Sequence, residues 1–387
     1  MIAPFQPHLA ALLGEQLASG TFSRVSLFGG DRYTLRMSTA IECARVLSCA
    51  HGGGEHCRCP SCTKFATLSY SDLVIVSQRD HRQRIEAALA AFLHDPNGPW
   101  RNRLIQTIRI PLLGFHPILL EEAGSALQNT AARAEGMNNL LYELTAEGVL
   151  ERNRAEEYVR DLRKTLKDFY SGLPKSTTVS INQVRSIDSW VHQTNISGQL
   201  RFVILEGIEQ TNVAARNALL KLLEEPPKGV YFFLISEHPS RIMPTILSRS
   251  RQYLFPPLSE ENRRSFIASY GLTESNYDSL RSFFLTQSGV NIEESRLLVD
   301  RLLASLIDGR ALDSRTIASI TAEIEKTNSY EHVLSILGEA IAKSVLSRRY
   351  VAKAVALIDE TYAAGLLYNQ NQRFTFEALY YRLLEER

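Results

Sequence analysis

Residues 201–236 read RFVILEGIEQTNVAARNALLKLLEEPPKGVYFFLIS, a pattern in which two short apolar runs enclose a helical segment. The runs RFVILEG and GVYFFLISE have the length and continuous apolar character of strands that are buried on both faces. Between them, alanine and leucine recur at helical spacing until a proline pair at 226–227 stops the helix. This order of strand, helix and strand predicts a parallel sheet flanked by helices.

The same alternation occurs in the first third of the chain. SRVSLFGG at 23–30 predicts a strand that runs into a glycine turn, and MSTAIECARVLSCA at 37–50 has helical spacing. SDLVIV at 71–76 predicts another buried strand. The sequence therefore predicts an α/β domain over residues 1–257.

From about residue 258 the character of the chain changes. Leucine, isoleucine and alanine recur there at helical spacing, and the pattern predicts no strand. We expect a small helical domain over residues 258–310 and a helical bundle over residues 311–387.

Residues 82–176 interrupt the α/β pattern. The stretch is rich in charged helical pattern and is much longer than the usual connection between two strands of a compact α/β unit. We interpret it as an inserted helical hairpin, and the sequence assigns it no function.

Composition excludes several classes of protein. The 387 residues are 44% hydrophobic and 22% charged, which is typical of a globular chain. A formal net charge of +1 argues against a polycation that binds nucleic acid through its overall charge. The N-terminus lacks a signal-peptide pattern, and no apolar run is long enough to span a membrane. These features predict a cytoplasmic protein without a membrane contact.

All five cysteines lie within 20 residues, an arrangement that suits a metal site better than a disulfide framework. The zinc module predicted at 49–62 uses the four ligands Cys49, Cys57, Cys59 and Cys62, because tetrahedral Zn²⁺ favours thiolate donors and a C-x2-C knuckle. Two further donors are His51 and His56, and His56 could replace Cys57, whose spacing to Cys59 is tight. Free cysteines in a surface loop are the alternative. Cys43 falls on the apolar spacing of its helix and is expected in the core.

The strand, glycine turn and helix at 23–50 follow the order of a P-loop, which requires G-x4-G-K and a hydroxyl residue. With Gly30 as the first glycine, Leu35 stands at the second glycine, Arg36 at the lysine and Met37 at the hydroxyl. A leucine blocks the approach of the backbone to phosphate, and a thioether is a poor Mg²⁺ ligand. Arg36 is expected to be solvated or, as the alternative, to bind a phosphate.

The partner motif of a P-loop is a strand that ends in two acidic residues. Here the strand RFVILEG ends in Glu206, and Gly207 occupies the position of the carboxylate that would polarise water. Losses at both motifs predict a chain that does not hydrolyse ATP. They leave it without assigned cofactor-binding residues, and residual nucleotide binding stays open at this point.

Several motifs resemble one family. AARNALLKLLEEPP at 214–227 closely resembles a motif of the clamp-loader subunits of bacterial DNA polymerase III. PTILSRSR at 244–251 is similar to the Ser-Arg-Cys motif of that family, with Ser250 in place of cysteine. The cluster at 49–62 resembles the family's zinc module, and NQNQRFTFEALYYRLL at 369–384 is similar to its collar-helix signature. Residues 82–176 are expected to have no counterpart in the family.

The resemblance implies an AAA+ P-loop-type sheet over residues 1–257, a lid domain over 258–310 and a collar domain for oligomerisation over 311–387. The losses in the two nucleotide motifs resemble the delta-prime subunit, a rigid member of the complex, more than the gamma/tau motor subunits. In the family, the arginine of the Ser-Arg-Cys motif reaches into the ATP site of a neighbour. Arg249 is therefore expected to act in trans as an arginine finger, with a solvated surface arginine as the alternative.

The resemblance also implies partners. They are the gamma/tau and delta subunits in a hetero-oligomer, the sliding clamp, and primed DNA reached through the complex during DNA replication. Two other functions remain open at this point. One is a catalytically active ATPase of the gamma/tau type, and the other is a zinc-containing protein that binds nucleic acid alone.

Overall fold

The computed structural model describes residues 4–77, 80–120, 125–172, 179–194, 198–272, 277–327, 329–367 and 370–387. These residues divide into two compact units, the first ending at Arg281 and the second beginning at Ser282. Among the described residues, no helix combines the length and the apolar character needed to cross a bilayer.

The first unit is built on a parallel sheet with the strand order β2-β3-β4-β1-β5 among the described residues. The strands are β1 (Val25–Gly30), β2 (Leu73–Val76), β3 (Arg201–Glu206), β4 (Val230–Ser236) and β5 (Arg251–Phe255). All residues of β2 and β3 are buried, as expected for strands covered on both faces. The carboxyl ends of the strands therefore meet at one edge of the sheet.

Helices cover both faces of this sheet. The helices of the first unit are α1 (Pro7–Ala18), α2 (Arg36–Ser48), α3 (Pro60–Ala66), α4 (Arg82–His94), α5 (Trp100–Leu112), α6 (Pro117–Leu120), α7 (Ser125–Ala146), α8 (Arg152–Ser171), α9 (Ile181–His192), α10 (Val213–Glu224), α11 (Pro244–Leu247) and α12 (Glu260–Ala268). Single 3₁₀ turns lie at Leu113–Phe115, Ile208–Gln210 and Pro239–Arg241.

Successive side chains of a strand point to opposite faces of the sheet, so the strands contribute to two apolar clusters, one on each face. On one face, Phe28 and Phe233 pack with residues of α1, α2 and α3. On the other face, Val203 and Leu234 pack with residues of α9, α10 and α11. The sheet is thus the middle layer of a three-layer α/β unit, and its central strands are closed to solvent.

Helix α10 shows how the local sequence sets an element. The side chain of Asn212 caps it by accepting a hydrogen bond from the Ala215 N–H at 2.8 Å. Apolar residues at helical spacing, among them Leu219 and Leu223, are buried against the sheet. The helix ends at Glu224, two residues before the proline pair.

Residues 82–176 are helical wherever they are described as regular structure. Helices α7 and α8 form an antiparallel pair, because Thr130 near the start of α7 donates to the Gly172 carbonyl just after α8. At the other end of the pair, the Tyr158 hydroxyl donates to Glu147 at 2.8 Å. The pair is a helical hairpin within the predicted stretch, but α4, α5 and α6 also lie there, so residues 82–176 contain more than the single hairpin that the charged pattern predicts. Residues 121–124 and 173–176 of the stretch lie outside the described residues.

The second unit is helical throughout its described residues, as the sequence predicts. Helix α13 (Leu280–Gln287) crosses the boundary between the units, and α14 (Ile292–Asp308), α15 (Ser314–Thr327), α16 (Tyr330–Ala342), α17 (Arg348–Tyr362) and α18 (Gln372–Glu385) follow, with a π-helical turn at Ala363–Leu367. Their apolar faces form one cluster that includes Leu302, Val333 and Phe376.

The predicted fold class, a parallel α/β sheet followed by helices, is confirmed. The strands predicted at 23–30, 71–76, 201–207 and 229–237 correspond to β1 to β4. Strand β5 is not predicted by the sequence pattern, because it is an edge strand with three exposed side chains.

Candidate functional site

The carboxyl edge of the sheet carries the loop that follows β1. Gly30 has a φ of +148°, and a β-carbon there would lie 2.3 Å from the carbonyl oxygen of Phe255 in β5. Only glycine fits this close approach between neighbouring strands. The first glycine of the P-loop pattern is therefore required by the packing of the sheet itself.

Leu35 stands where the P-loop pattern has its second glycine, and its backbone is left-handed with a φ of +66°. That conformation costs a leucine roughly 1–2 kcal/mol relative to glycine. The side chain is buried, with 6% of its surface exposed. The loop thus has the backbone conformation of a glycine turn while its side chain fills space inside the protein.

Arg36 begins α2, and its side chain points into the protein. It is 2% exposed, and its guanidinium donates a hydrogen bond to the carbonyl oxygen of Ser236 at the end of β4. Its Nη2 atom lies 3.6 Å from Glu237 Oε1. The expectation of a solvated Arg36 is therefore wrong, because the end of β4 supplies an acceptor and a carboxylate. Met37 is also buried and belongs to the apolar cluster beneath α2.

The start of α4 covers the loop from outside. The Tyr33 hydroxyl donates to Gln83 Oε1 at 3.0 Å, and Arg84 Nη2 donates to the Arg32 carbonyl oxygen at 3.0 Å. The Arg84 guanidinium also lies 5.8 Å from the centre of the Tyr33 ring. The loop after β1 is therefore bound to the start of α4, and Arg36, which follows the loop, is bound to the end of β4.

Glu206, at the end of β3, is buried and bound within the protein. Ser77, which follows β2, donates a hydrogen bond to Glu206 Oε2. The Ser77 Oγ lies 2.8 Å from Nε2 of the buried His81. Neither Ser77 nor His81 belongs to a motif that the sequence pattern predicts. Their position after a strand that neighbours β3 is the signal that could have identified them.

Gly207 has a φ of +79°, which favours glycine, and its N–H donates to the Ile235 carbonyl oxygen at 2.9 Å. The next acidic residue, Glu209, accepts a hydrogen bond from the Glu237 N–H at 3.0 Å. Gly207 and Glu209 are therefore both used to join the end of β3 to the end of β4.

Arg249 lies away from this edge, two residues after α11. Its side chain is 32% exposed and forms a salt bridge with Glu224, the last residue of α10. Its Nη1 atom also donates to the Thr245 carbonyl oxygen at 2.9 Å. The motif at 214–227 and the motif at 244–251 thus meet through one ion pair.

The cysteine region brings four donor atoms together. The ligand atoms of Cys49, His51, Cys57 and Cys59 all lie within 4.8 Å of one another, so the group could hold a metal ion. The Sγ atoms of Cys49 and Cys57 are 3.5 Å apart, and His51 Nδ1 is 3.5 Å from the Cys57 Sγ. Three thiols and one imidazole form a soft donor set that fits Zn²⁺. The histidine in this group is His51, and His56 does not belong to the group.

Cys62 borders this group and contacts α2. Its Sγ accepts a hydrogen bond from Arg45 Nη1 at 3.0 Å, and Arg45 is held by Glu42 at 2.8 Å. The N–H of Cys62 lowers the pKa of the Cys59 thiol to about 6, which favours the thiolate form that binds metals. Cys43 lies apart in the core, as expected, and burial raises its pKa.

The parallel sheet with helices on both faces makes the first unit an α/β protein. Comparison with known sequences is more specific, because residues 5–96 and 116–259 match the family described as DNA polymerase III, delta subunit. The chain belongs to this family. The matched ranges include most of residues 82–176, so the expectation that this stretch has no counterpart in the family is wrong for all but 97–115.

Individual relatives match over shorter segments. The chain is 46% identical to DNA polymerase III subunit delta' of Pseudomonas aeruginosa over 78 residues, which are 20% of this chain and 24% of that protein. It is 35% identical to the Escherichia coli subunit delta' over 96 residues, 24% of this chain and 29% of that protein. The chain therefore spans about a quarter of the length of these relatives.

More distant matches involve a second type of subunit. DNA polymerase III subunit gamma/tau of Mycobacterium tuberculosis is 24% identical over 139 residues, 35% of this chain and 24% of that protein. Among solved structures, a DNA polymerase III gamma subunit-related protein of Thermotoga maritima has a TM-score of 0.32 at 17% identity, over 59% of this chain and 90% of that chain.

Proposed function

We propose that this chain is a non-hydrolysing, delta-prime-type subunit of a DNA polymerase III clamp loader. In this role it completes the ATP site of a neighbouring subunit with Arg249 while the complex loads the sliding clamp onto primed DNA. The observation that carries the proposal is the contrast between two arginines. Arg36, in the lysine position of its own P-loop pattern, is buried against β4, whereas Arg249 is at the surface.

The chemistry of nucleotide binding supports the proposal that the chain does not hydrolyse ATP. A P-loop needs free backbone amides, a lysine that reaches the phosphates and a hydroxyl that binds Mg²⁺. Here the Leu35 side chain is buried, the Arg36 guanidinium is bound to Ser236, and Met37 packs in the core. Binding a triphosphate in the P-loop manner would require these side chains to leave buried positions.

The position of Arg249 supports the proposal that the chain completes the ATP site of a neighbouring subunit. An arginine finger stabilises the charge that develops on the transferred phosphoryl group, and it must extend from the surface of the subunit that supplies it. The exposed third of the Arg249 side chain meets this requirement. The partners in this proposal are gamma/tau and delta subunits and the sliding clamp, and the complex acts in the cytoplasm.

Two structural roles belong to the same proposal. The lid domain would comprise residues 258–310. The collar domain would comprise residues 311–387 and would serve oligomerisation. The signature at 369–384 falls partly outside the described residues, since Asn369 is not among them. Asn371 caps α18 by accepting hydrogen bonds from the N–H groups of Arg373 and Phe374.

The cluster near Cys59 is proposed to hold a structural zinc ion, which would fix the segment between α2 and α3 when bound. Cys49, Cys57 and Cys59 supply thiolates in this proposal, and His51 or Cys62 supplies the remaining donor. No carboxylate belongs to the metal-binding group found among the described residues, and a donor set of this kind suits a structural site.

Reconstitution with the ATP-hydrolysing subunits of the same complex tests the proposal. We expect Arg249→Ala to lower the ATPase activity that clamp and primed DNA stimulate by about tenfold or more at the affected site, with assembly intact. Arg251→Ala is the matched control, because it removes the same charge from an exposed position two residues away. Unchanged turnover in Arg249→Ala would reject the finger role, and equal losses in both variants would indicate a general electrostatic contact.

Equilibrium binding of labelled ATP to the isolated chain tests the proposal that the chain does not hydrolyse ATP. We expect no binding at micromolar ATP with Mg²⁺. Micromolar binding with Mg²⁺-dependent hydrolysis would instead support an active ATPase of the gamma/tau type. Salt-sensitive binding of DNA by the isolated chain would support a protein that binds nucleic acid alone.

A further inference from the structure

The salt bridge between Arg249 and Glu224 joins two separate surface segments. Glu224 is the last residue of α10, and Arg249 follows α11 by two residues. Both side chains are partly exposed, at 50% for Glu224 and 32% for Arg249. The pair is therefore accessible from outside the chain, in contrast to the buried contacts of Arg36.

The position of Glu224 is set by the core. Leu222 and Leu223, the two residues of α10 before it, are buried in the apolar cluster on this face of the sheet. The proline pair that follows prevents the helix from continuing. A carboxylate at the C-terminal end of a helix lies in the negative field of the helix dipole, so a cation nearby is favoured. The sequence thus presents a fixed negative charge that attracts the Arg249 guanidinium.

Two contacts orient this guanidinium. Glu224 binds its Nη2 atom, and the Thr245 carbonyl oxygen accepts from its Nη1 atom. A guanidinium has five N–H donors in a rigid plane, so two bonds fix the plane and leave three donors. An arginine side chain without such contacts would instead sample many rotamers before it reached a phosphate.

We propose that Glu224 is a positioning residue that orients the Arg249 guanidinium for the ATP site of a neighbouring subunit. This inference rests on the proposed function, because it assigns Glu224 a role only through Arg249. Glu224 does not contact the nucleotide in this arrangement. It fixes the plane of the guanidinium, and the remaining donors bind the phosphoryl group of the neighbour's ATP.

The test uses the full chain in the reconstituted complex, with turnover of the stimulated ATPase as the readout. We expect Glu224→Ala to lower kcat by about tenfold, since misplacing a group by about 1 Å can cost as much as a hundredfold. KM for ATP should change little, because a finger acts mainly in the transition state. Glu224→Gln should recover part of the loss, since its amide oxygen still accepts from Nη2.

Two further variants make the test specific. Glu225→Ala removes the same charge from the next residue and should leave turnover unchanged. The double variant Glu224→Ala with Arg249→Ala should be no slower than Arg249→Ala alone, because both changes act through one guanidinium. Thermal unfolding of each variant separates a loss of positioning from a loss of folding.

The outcomes distinguish the inference from the proposed function. If Arg249→Ala slows turnover and Glu224→Ala and Glu224→Gln do not, the finger role stands and the positioning role is wrong. If Glu224→Ala raises turnover, Glu224 restrains Arg249 instead of presenting it, which also overturns the inference. If Arg249→Ala has no effect, the finger role and the positioning role both fall.

Discussion

The Arg36 guanidinium donates a hydrogen bond to the carbonyl oxygen of Ser236, so the first residue of α2 is tied to the last residue of β4. In a nucleotide-binding protein, the cation at the start of this helix would be available to phosphate. Here it satisfies a carbonyl at the edge of the sheet and lies near Glu237. In this chain the cation at the start of the helix therefore makes an internal contact.

Replacing Arg36 with methionine should therefore destabilise the first unit. The change keeps a long side chain but leaves the Ser236 carbonyl without this donor, which costs about 1–3 kcal/mol. Both tryptophans, Trp100 and Trp190, belong to the first unit, so urea unfolding followed by tryptophan fluorescence reports on this unit alone.

Arg152→Met is the matched control for this experiment. Arg152 lies on α8, is 82% exposed and forms a salt bridge with Glu156, four residues later on the same helix. Such an exposed pair contributes less than about 0.5 kcal/mol. If Arg36→Met unfolds at the same urea concentration as Arg152→Met, the contact with Ser236 does not stabilise the sheet edge.

The left-handed backbone at Leu35 allows a second prediction about stability. Leu35→Ala and Leu35→Gly both remove the buried side chain, so both should destabilise the first unit in the same urea experiment. Glycine tolerates a φ of +66° and alanine does not, so Leu35→Gly should be the more stable of the two by about 1 kcal/mol.

An exposed position within a helix gives the opposite order and serves as the control. Ala132, on α7, is exposed, and Ala132→Gly should destabilise the protein by about 1 kcal/mol. A Leu35→Gly variant that is less stable than Leu35→Ala would mean that the backbone at this position is not held in the left-handed region.

The sequence predicted the fold better than it predicted the surroundings of individual side chains. Strands β1 to β4 were recognisable because a short, continuous apolar run bounded by turn residues is typical of a buried strand, whereas β5 has exposed residues at three of its five positions. The departures from the P-loop pattern at Leu35, Arg36 and Met37 were also visible in the sequence. The burial of Arg36 was not, because its acceptor Ser236 is 200 residues away.

The metal cluster illustrates the same limit. Spacing alone identified the region and named four cysteines, with His56 as the alternative to Cys57, but it did not show that His51 lies among the thiols. The path of the chain between Cys49 and Cys57 brings the His51 ring to the thiols, whereas His56 does not belong to the group. The contact of Arg249 with Glu224 likewise depends on how α10 and α11 pack.

Cys43 should resist alkylation while the protein is folded. It is 2% exposed, and burial raises the pKa of its thiol, so little thiolate forms even at about pH 9. Iodoacetamide treatment after metal removal should modify Cys49 and Cys57, which are only partly buried, and leave Cys43 unmodified. Peptide mapping by mass spectrometry measures this. In urea all five cysteines should react, and modification of Cys43 in the folded protein at the rate of Cys57 would contradict its place in the core.

Zinc binding by the purified chain distinguishes the two histidines. His51 Nδ1 lies 3.5 Å from the Cys57 Sγ, so His51→Ala should remove a donor and weaken zinc binding by at least about tenfold. His56→Ala alters an exposed residue of the same type in the same segment and should leave zinc affinity unchanged. Competition with a chelator of known affinity measures both variants. If Cys62→Ser weakens zinc binding while His51→Ala does not, the fourth donor is the thiol of Cys62. In that case the hydrogen bond from Arg45 to the Cys62 Sγ orients a metal ligand.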